Sequence, residues 1–175
     1  MYKEYALINI KFTIIDEYKG DGGFYESAKH TPDLNLARAL NCLNDIVTEK
    51  HVRCCDVILI DRGVFDTYCW FKWFEKRQKL SDPLLNLSEN FIQTLKTYSC
   101  KYHIAWMDID PIVSIAQHSR SGSIVNMNTL EGLREQYRNA TEINKWELSI
   151  SRVESEKATS EIHAMRLVQQ FKLAK

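Results

Sequence analysis

The segment that most constrains this chain is Asp56-Val57-Ile58-Leu59-Ile60-Asp61. Four aliphatic residues in a row, closed at each end by a carboxylate, are too few for a helix and show no polar alternation. They read as a strand buried on both faces, the pattern of a parallel sheet covered by helices. Arg62-Gly63 follows at once. After it comes a predicted helix from Asp66 to about Lys79, rich in aromatic residues (Trp70, Phe71, Trp73 and Phe74). A strand of this kind cannot stand alone, so the remaining sequence must supply further strands and helices.

It does so in alternation. Ile8 to Asp16 reads as a strand running into the glycine-rich loop Glu17-Tyr18-Lys19-Gly20-Asp21-Gly22-Gly23. Leu36, Leu40, Leu43 and Val47 recur at helical spacing and predict an amphipathic helix over Pro32 to Glu49. A further helix is expected from Ser88 to about Ser99, a short apolar strand from His103 to Asp108, and a helix starting at Asp110-Pro111. Asn128 and Glu131 have the spacing of a capping box. Behind them Leu130, Leu133, Tyr137 and Ala140 form one face of a long helix. Leu148 to Val153 is a weaker strand, and Ala158, Ile162, Met165 and Val168 mark a last helix. Strands and helices in this order predict an α/β fold, a three-layer, mostly parallel sheet flanked by helices. Asp56 to Ile60 is expected centrally, beside His103 to Asp108. With no repeat, linker or low-complexity stretch, residues 1–175 read as a single domain.

Composition narrows the functional classes. Lys+Arg and Asp+Glu are both 23, so no overall basic field gathers polymeric nucleic acid or an anionic membrane. No apolar run approaches the roughly 20 residues that span a bilayer. Met1-Tyr2-Lys3-Glu4-Tyr5 lacks a signal-peptide pattern. The five cysteines are odd in number and form no CxxC pair, which favours reduced thiols and a cytoplasmic location.

Ligands of such sheets sit at the carboxyl ends of the strands. The unusual polar residues collect there: Asp16-Glu17, Asp61-Arg62 and Asp108-Ile109-Asp110. A guanidinium is a planar, permanently charged fork suited to oxygen anions, and a carboxylate suits a hard cation. The bland alternative for Asp61 and Arg62 is a structural ion pair. For Asp16 and Glu17 it is an acidic surface turn.

The triplet Asp61-Arg62-Gly63, ending a buried strand ahead of an aromatic helix, resembles the deoxynucleoside and thymidylate kinases. In that family the strand ends in Glu-Arg-Ser or Asp-Arg-Tyr. The resemblance covers nearly the whole chain and implies the P-loop nucleotide-kinase fold. It further implies transfer of the γ-phosphoryl of ATP, with Mg²⁺, to a small nucleoside or nucleotide. It places Asp61 near the metal and Arg62 on the acceptor or its phosphate. Asp16 or Glu17 becomes the base, a carboxylate that takes the proton of the attacking hydroxyl. A mobile lid is implied at about residues 117–127, where Arg120 is the candidate for the phosphates, although such lids often carry two or three arginines. Arg38, Asp66 and Trp70 are the candidates for contact with the acceptor. Two bland readings remain: a solvated loop arginine for Arg120, and core packing or a dimer interface for Trp70 and its aromatic neighbours. Because related kinases are often dimers, a homodimer is also implied.

One hallmark is absent. The phosphate cradle GxxxxGK[ST] occurs nowhere in the 175 residues. The resemblance begins at the tail of what would be the first helix, so a strand, loop and most of a helix, about 20 to 30 residues, are expected to be missing. Three explanations compete: a truncated frame of an active kinase, a protein that has lost the loop and keeps a binding role, or a superficial likeness.

Overall fold

The computed structural model describes residues 12–16, 31–77, 82–98, 102–118 and 127–154. The described elements are β1 (Phe12–Asp16), α1 (Pro32–His51), β2 (Val57–Asp61), α2 (Val64–Lys76), α3 (Asp82–Tyr98), β3 (His103–Asp108), α4 (Pro111–His118), α5 (Met127–Ile143) and β4 (Ser149–Glu154). They fall into two compact units that divide between Ile92 and Gln93.

In the first unit β1 and β2 pair in parallel, in register from Phe12 opposite Val57 to Asp16 opposite Asp61. Parallel neighbours need a long crossover. This one contains α1, which packs on both strands and on α2. Local chemistry fixes where α1 starts. Thr31 holds an extended backbone and its Oγ1 accepts from the Leu34 N–H at 3.2 Å. Pro32 then occupies the first turn, where its missing N–H costs nothing. Asp33 in the first turn, with Lys50 and His51 in the last, matches the helix dipole. Helix α2 is apolar almost all round. Val64, Cys69 and Phe71 are fully buried, and Trp70, Trp73 and Phe74 pack ring against ring with centroids 5.2–5.8 Å apart. Such a helix belongs to a core.

In the second unit β3 and β4 pair in parallel, from His103 opposite Ser149 to Asp108 opposite Glu154. Their crossover includes α4 and α5, which pack on each other. Trp106 of β3 is buried and stacks on Tyr137 of α5, with rings 6.2 Å apart and 10° from parallel. The turn into β4 is closed by Asn144. Its Nδ2 donates to the Leu148 carbonyl and its Oδ1 accepts the Leu148 N–H, both at 2.9 Å.

The expected α/β architecture, with parallel strands and intervening helices, is present. Several local expectations need correction. Strand β2 is not buried on both faces: Leu59 is 39% exposed. The described partner of β2 is β1, and that of β3 is β4. Each described sheet has two strands, too few to enclose an apolar strand. Helix α3 begins at Asp82, ahead of Ser88, because Pro83 suits a first turn. Asn128 is no N-cap, since α5 already begins at Met127. The predicted apolar stripe of α1 is not its buried face. That face is Asn35, Arg38, Ala39, Cys42, Ile46 and Glu49. The helix expected at Ala158 to Val168 lies outside the described residues.

These burial patterns predict an unequal response to truncation. Phe71→Ala should cost about 3–5 kcal/mol in urea unfolding, the usual range for a fully buried ring. Leu59→Ala should cost clearly less. Equal losses would contradict the half-open environment of β2.

Candidate functional site

The carboxyl end of the β1–β2 pair concentrates the polar residues of the first unit. Parallel register sets Asp16 and Asp61 side by side at the strand ends. Neighbouring strands lie about 4.8 Å apart, so the two acidic positions are adjacent at one edge. Asp61 is exposed. The next residue, Arg62, has φ of 59°, the left-handed region that a non-glycine residue enters at a cost. This kink ends the strand and starts α2, whose first described hydrogen bond runs from the Thr67 N–H to the Gly63 carbonyl at 3.0 Å. Gly63 allows the close turn, because a Cβ there would stand 3.2 Å from the Ile60 side chain.

Asp66 lies one turn into α2, and its environment identifies its neighbours. Burial pushes its carboxyl up to about 6 from 3.8. The charges of Arg62 and Arg38 act against that rise, and Asp61 adds to it. Four charged residues therefore share one locality: Asp61, Arg62 and Asp66 from the β2–α2 junction, and Arg38 from the buried face of α1. Arg38 is 2% exposed. Beside these in sequence, Asn35 and Thr67 are also buried. Neither Asn35 Oδ1 nor Thr67 Oγ1 has a hydrogen-bond partner among the described residues. Buried polar atoms are normally satisfied, so each calls for a partner such as an ordered water or a ligand. Asn35 and Thr67 were not singled out in the sequence. The available signal was a polar residue one turn before Arg38 and another beside Asp66.

Of the predicted site residues, the fold brings Arg38, Asp61, Arg62 and Asp66 together, with Asp16 at the adjoining strand end. Trp70 is one turn beyond Asp66 and 5% exposed, held among Trp73 and Phe74. Glu17 and Arg120, with most of the expected lid, lie outside the described residues.

A second polar group occupies the carboxyl end of β3. Asp108, 3% exposed, accepts from Arg134 Nε at 2.6 Å and from Arg152 Nε at 2.7 Å. Arg134 also reaches Asp110 at 3.4 Å. Burial alone would raise the Asp108 carboxyl. The two hydrogen-bonded guanidinium groups outweigh it and hold the acid below its usual range. Arg152 in turn lies over the Trp106 ring at 5.3 Å. This clamp ties α5 and β4 to β3. Its Asp108–Arg152 limb joins residues 44 apart, beyond any local pattern in the sequence.

No group of three or more His, Cys, Asp or Glu residues poised for a metal occurs among the described residues. Asp61 alone offers an exposed carboxylate beside Arg62. That suits Mg²⁺, which needs only one or two protein carboxylates when it is shared with phosphate and water. No described helix is long and apolar enough to cross a membrane.

No family model matches the chain, and no curated protein matches it. Solved structures do match. The chain is similar to deoxyadenosine kinase from M. mycoides with the products dCMP and a flexible dCDP bound, with TM-score 0.67 and 9% identity. That match covers 99% of this chain and 91% of the other. The chain has the nucleoside-kinase fold. The same enzyme with bound dATP matches with TM-score 0.64 and 12% identity, over 93% of this chain and 86% of the other. With bound dCTP it matches with TM-score 0.53 and 12% identity, over 94% and 100%. At such identities the nucleoside-kinase fold is what the likeness establishes.

Asp66 and Asp108 predict opposite responses to pH. Unfolded, Asp66 ionises near its ordinary 3.8; folded, it holds its proton to about 6. Between these values the native chain binds more protons than the unfolded one. Stability should therefore fall as pH rises through that window and level off above it. The fall should be about 3 kcal/mol. Asp66→Asn should flatten this segment of the urea-midpoint profile, and an unchanged slope would contradict the assignment. Asp108 has a lowered value, so its contribution is present above the ordinary carboxylate range and lost as pH falls. Asp108→Asn should cost on the order of 2 kcal/mol at neutral pH. That difference should shrink as acid protonates the native carboxyl.

Proposed function

We propose that the protein is a nucleoside or nucleotide kinase-like phosphotransferase, acting on a small nucleoside or nucleotide with ATP as donor. The observation that carries this reading is the clustering of Arg38, Asp61, Arg62 and Asp66 at the carboxyl edge of a parallel strand pair within a nucleoside-kinase fold. The ligands bound in the similar M. mycoides structures, dCMP, dCDP, dATP and dCTP, support a small nucleotide as the ligand class.

In this reading Arg62 clamps the acceptor through its planar fork. Arg38 donates from a buried position, and Asp66, neutral or charged near pH 6, either donates or accepts. Together they suit the mixed donor–acceptor edge of a nucleobase. Asn35 and Thr67 add acceptor capacity to the same locality. Asp16 or Glu17 takes the proton of the attacking hydroxyl, and Arg120 balances charge on the transferred group. Trp70 backs the acceptor pocket from the core. Asp61 is the residue that would hold Mg²⁺; a bound magnesium would neutralise phosphate charge. The same edge charges do not suit polymeric nucleic acid, because the chain carries no excess of cations.

The donor side fits less well. The 175 residues contain no GxxxxGK[ST], the motif whose backbone and lysine would hold the β- and γ-phosphates. That observation favours a second reading: a nucleotide-binding or protein-interaction module on the same fold, which keeps the acceptor site without turnover.

A phosphotransfer assay with thymidine, other nucleosides and their monophosphates separates the two. The enzyme reading predicts ATP-dependent product. It also predicts that Arg62→Ala and Asp61→Asn each lower kcat/KM by about 10²–10³-fold, the usual scale for a charge-stabilising group. Acceptor binding without product, weakened by Arg62→Ala, would favour the binding module. Neither binding nor product would overturn both.

A further inference from the structure

Two guanidinium groups of the second unit share a cleft and keep donors to offer there. The cleft, of about 270 Å³, is lined by β4 and by the last turns of α5. Arg138 and Glu142 contribute from α5, one helical turn apart and so on one face. Ile150 and Arg152 contribute from β4, two residues apart and so on one sheet face. Trp106 of β3 stands opposite Arg152 in the register. With Leu148 and Ile150 it gives the cleft an apolar wall, in which Trp106 and Leu148 are buried.

The polar groups of the cleft divide into engaged and available ones. Asn144 uses both ends of its amide on Leu148, and Thr141 Oγ1 donates to the Arg138 carbonyl at 2.8 Å. Arg152 gives Nε and Nη2 to Asp108, which leaves Nη1. The Arg138 guanidinium is exposed and forms no ion pair among the described residues, not even with Glu142 one turn on. Two guanidinium groups against one carboxylate leave the cleft net positive. A planar, permanently charged fork with donors to offer suits an oxyanion, and the wall beside it suits an apolar body. Clefts for drug-sized ligands measure roughly 300–1,000 Å³, so the occupant here is smaller than a nucleotide.

We propose that this cleft is a second ligand site, which takes a small molecule with a carboxylate or phosphate head on an apolar body. Arg138 and Arg152 hold the head, and the body rests against Trp106, Leu148 and Ile150. The site uses none of the acceptor residues of the first unit, so it is independent of whether the chain turns over a nucleoside.

Benzoate and phenyl phosphate carry the two head groups on one ring. Each is titrated into the ¹⁵N-labelled full chain and followed at the arginine Nε–Hε and Trp106 indole signals. Arg138, Arg152 and Trp106 should shift together along one saturation curve, in the millimolar range expected of so small a ligand. The tighter probe identifies the head group. Benzyl alcohol, similar in body but uncharged, should give no saturable shift at Arg138. Arg138→Gln should weaken the tighter probe about tenfold, the scale of one charge-assisted hydrogen bond. Its melting temperature should stay unchanged, because Arg138 is exposed. Glu142→Gln should strengthen binding about threefold, the scale of one exposed charge. Shifts that never saturate, an affinity unmoved by Arg138→Gln, benzyl alcohol binding as well as benzoate, or binding confined to Arg38 and Arg62 would each overturn the proposal.

Discussion

The parallel pairing of β1 with β2 is the constraint on which the candidate site depends. Register sets two acidic residues, Asp16 and Asp61, at adjacent strand ends. Acidic positions at strand spacing favour a cation at the same edge. The sequence supplies one immediately, Arg62, and the backbone accepts a left-handed φ to turn the chain there. A second cation, Arg38, comes from the helix in the crossover that parallel pairing requires. Register, kink and crossover thus lead to one locality rich in charge. Asp66, entering that locality from the first turn of α2, has its carboxyl pushed up to about 6 by burial against the pull of both arginines.

That arrangement suits recognition of a small anion with a polar ring. The guanidinium groups come from different elements, one in a strained junction and one in a buried helix face. The packing of α1 on α2 fixes the backbone positions from which they extend. Strain at Arg62 is consistent with a binding position, since unusual backbone is retained where surrounding packing enforces it. In the second unit the Asp108 clamp performs a different task. Its arginines are engaged by carboxylates, and it holds β3, β4 and α5 together.

Much of this was legible in the sequence, and the failures have physical causes. The ends of β2 and β3 were readable because carboxylates bound short apolar runs, as at Asp56 and Asp61. The cluster of Asp61, Arg62 and Asp66 was readable because all three lie within one strand-to-helix junction. The orientation of α1 was not. Its most hydrophobic stripe faces outward, and its inward face includes Asn35, Arg38 and Glu49, which no hydrophobic pattern selects. Burial of Leu59 was overestimated, since an apolar run records the environment a strand prefers, and among the described residues Leu59 stays 39% exposed. Arg152 was invisible because it reaches the Asp108 carboxylate only once β4 pairs with β3. The capping box at Asn128 failed at the scale of one turn, where helix boundaries are hardest to place.

The central claim is that Arg38 and Arg62, from separate elements, face one nucleotide. Titration of a deoxynucleoside monophosphate into ¹⁵N-labelled protein, followed at the arginine Nε–Hε signals, tests it most directly. The account predicts that Arg38 and Arg62 shift together along a single saturation curve while Arg152 stays still. Shifts confined to Arg134 and Arg152, or no saturable shift at Arg38 and Arg62, would contradict it.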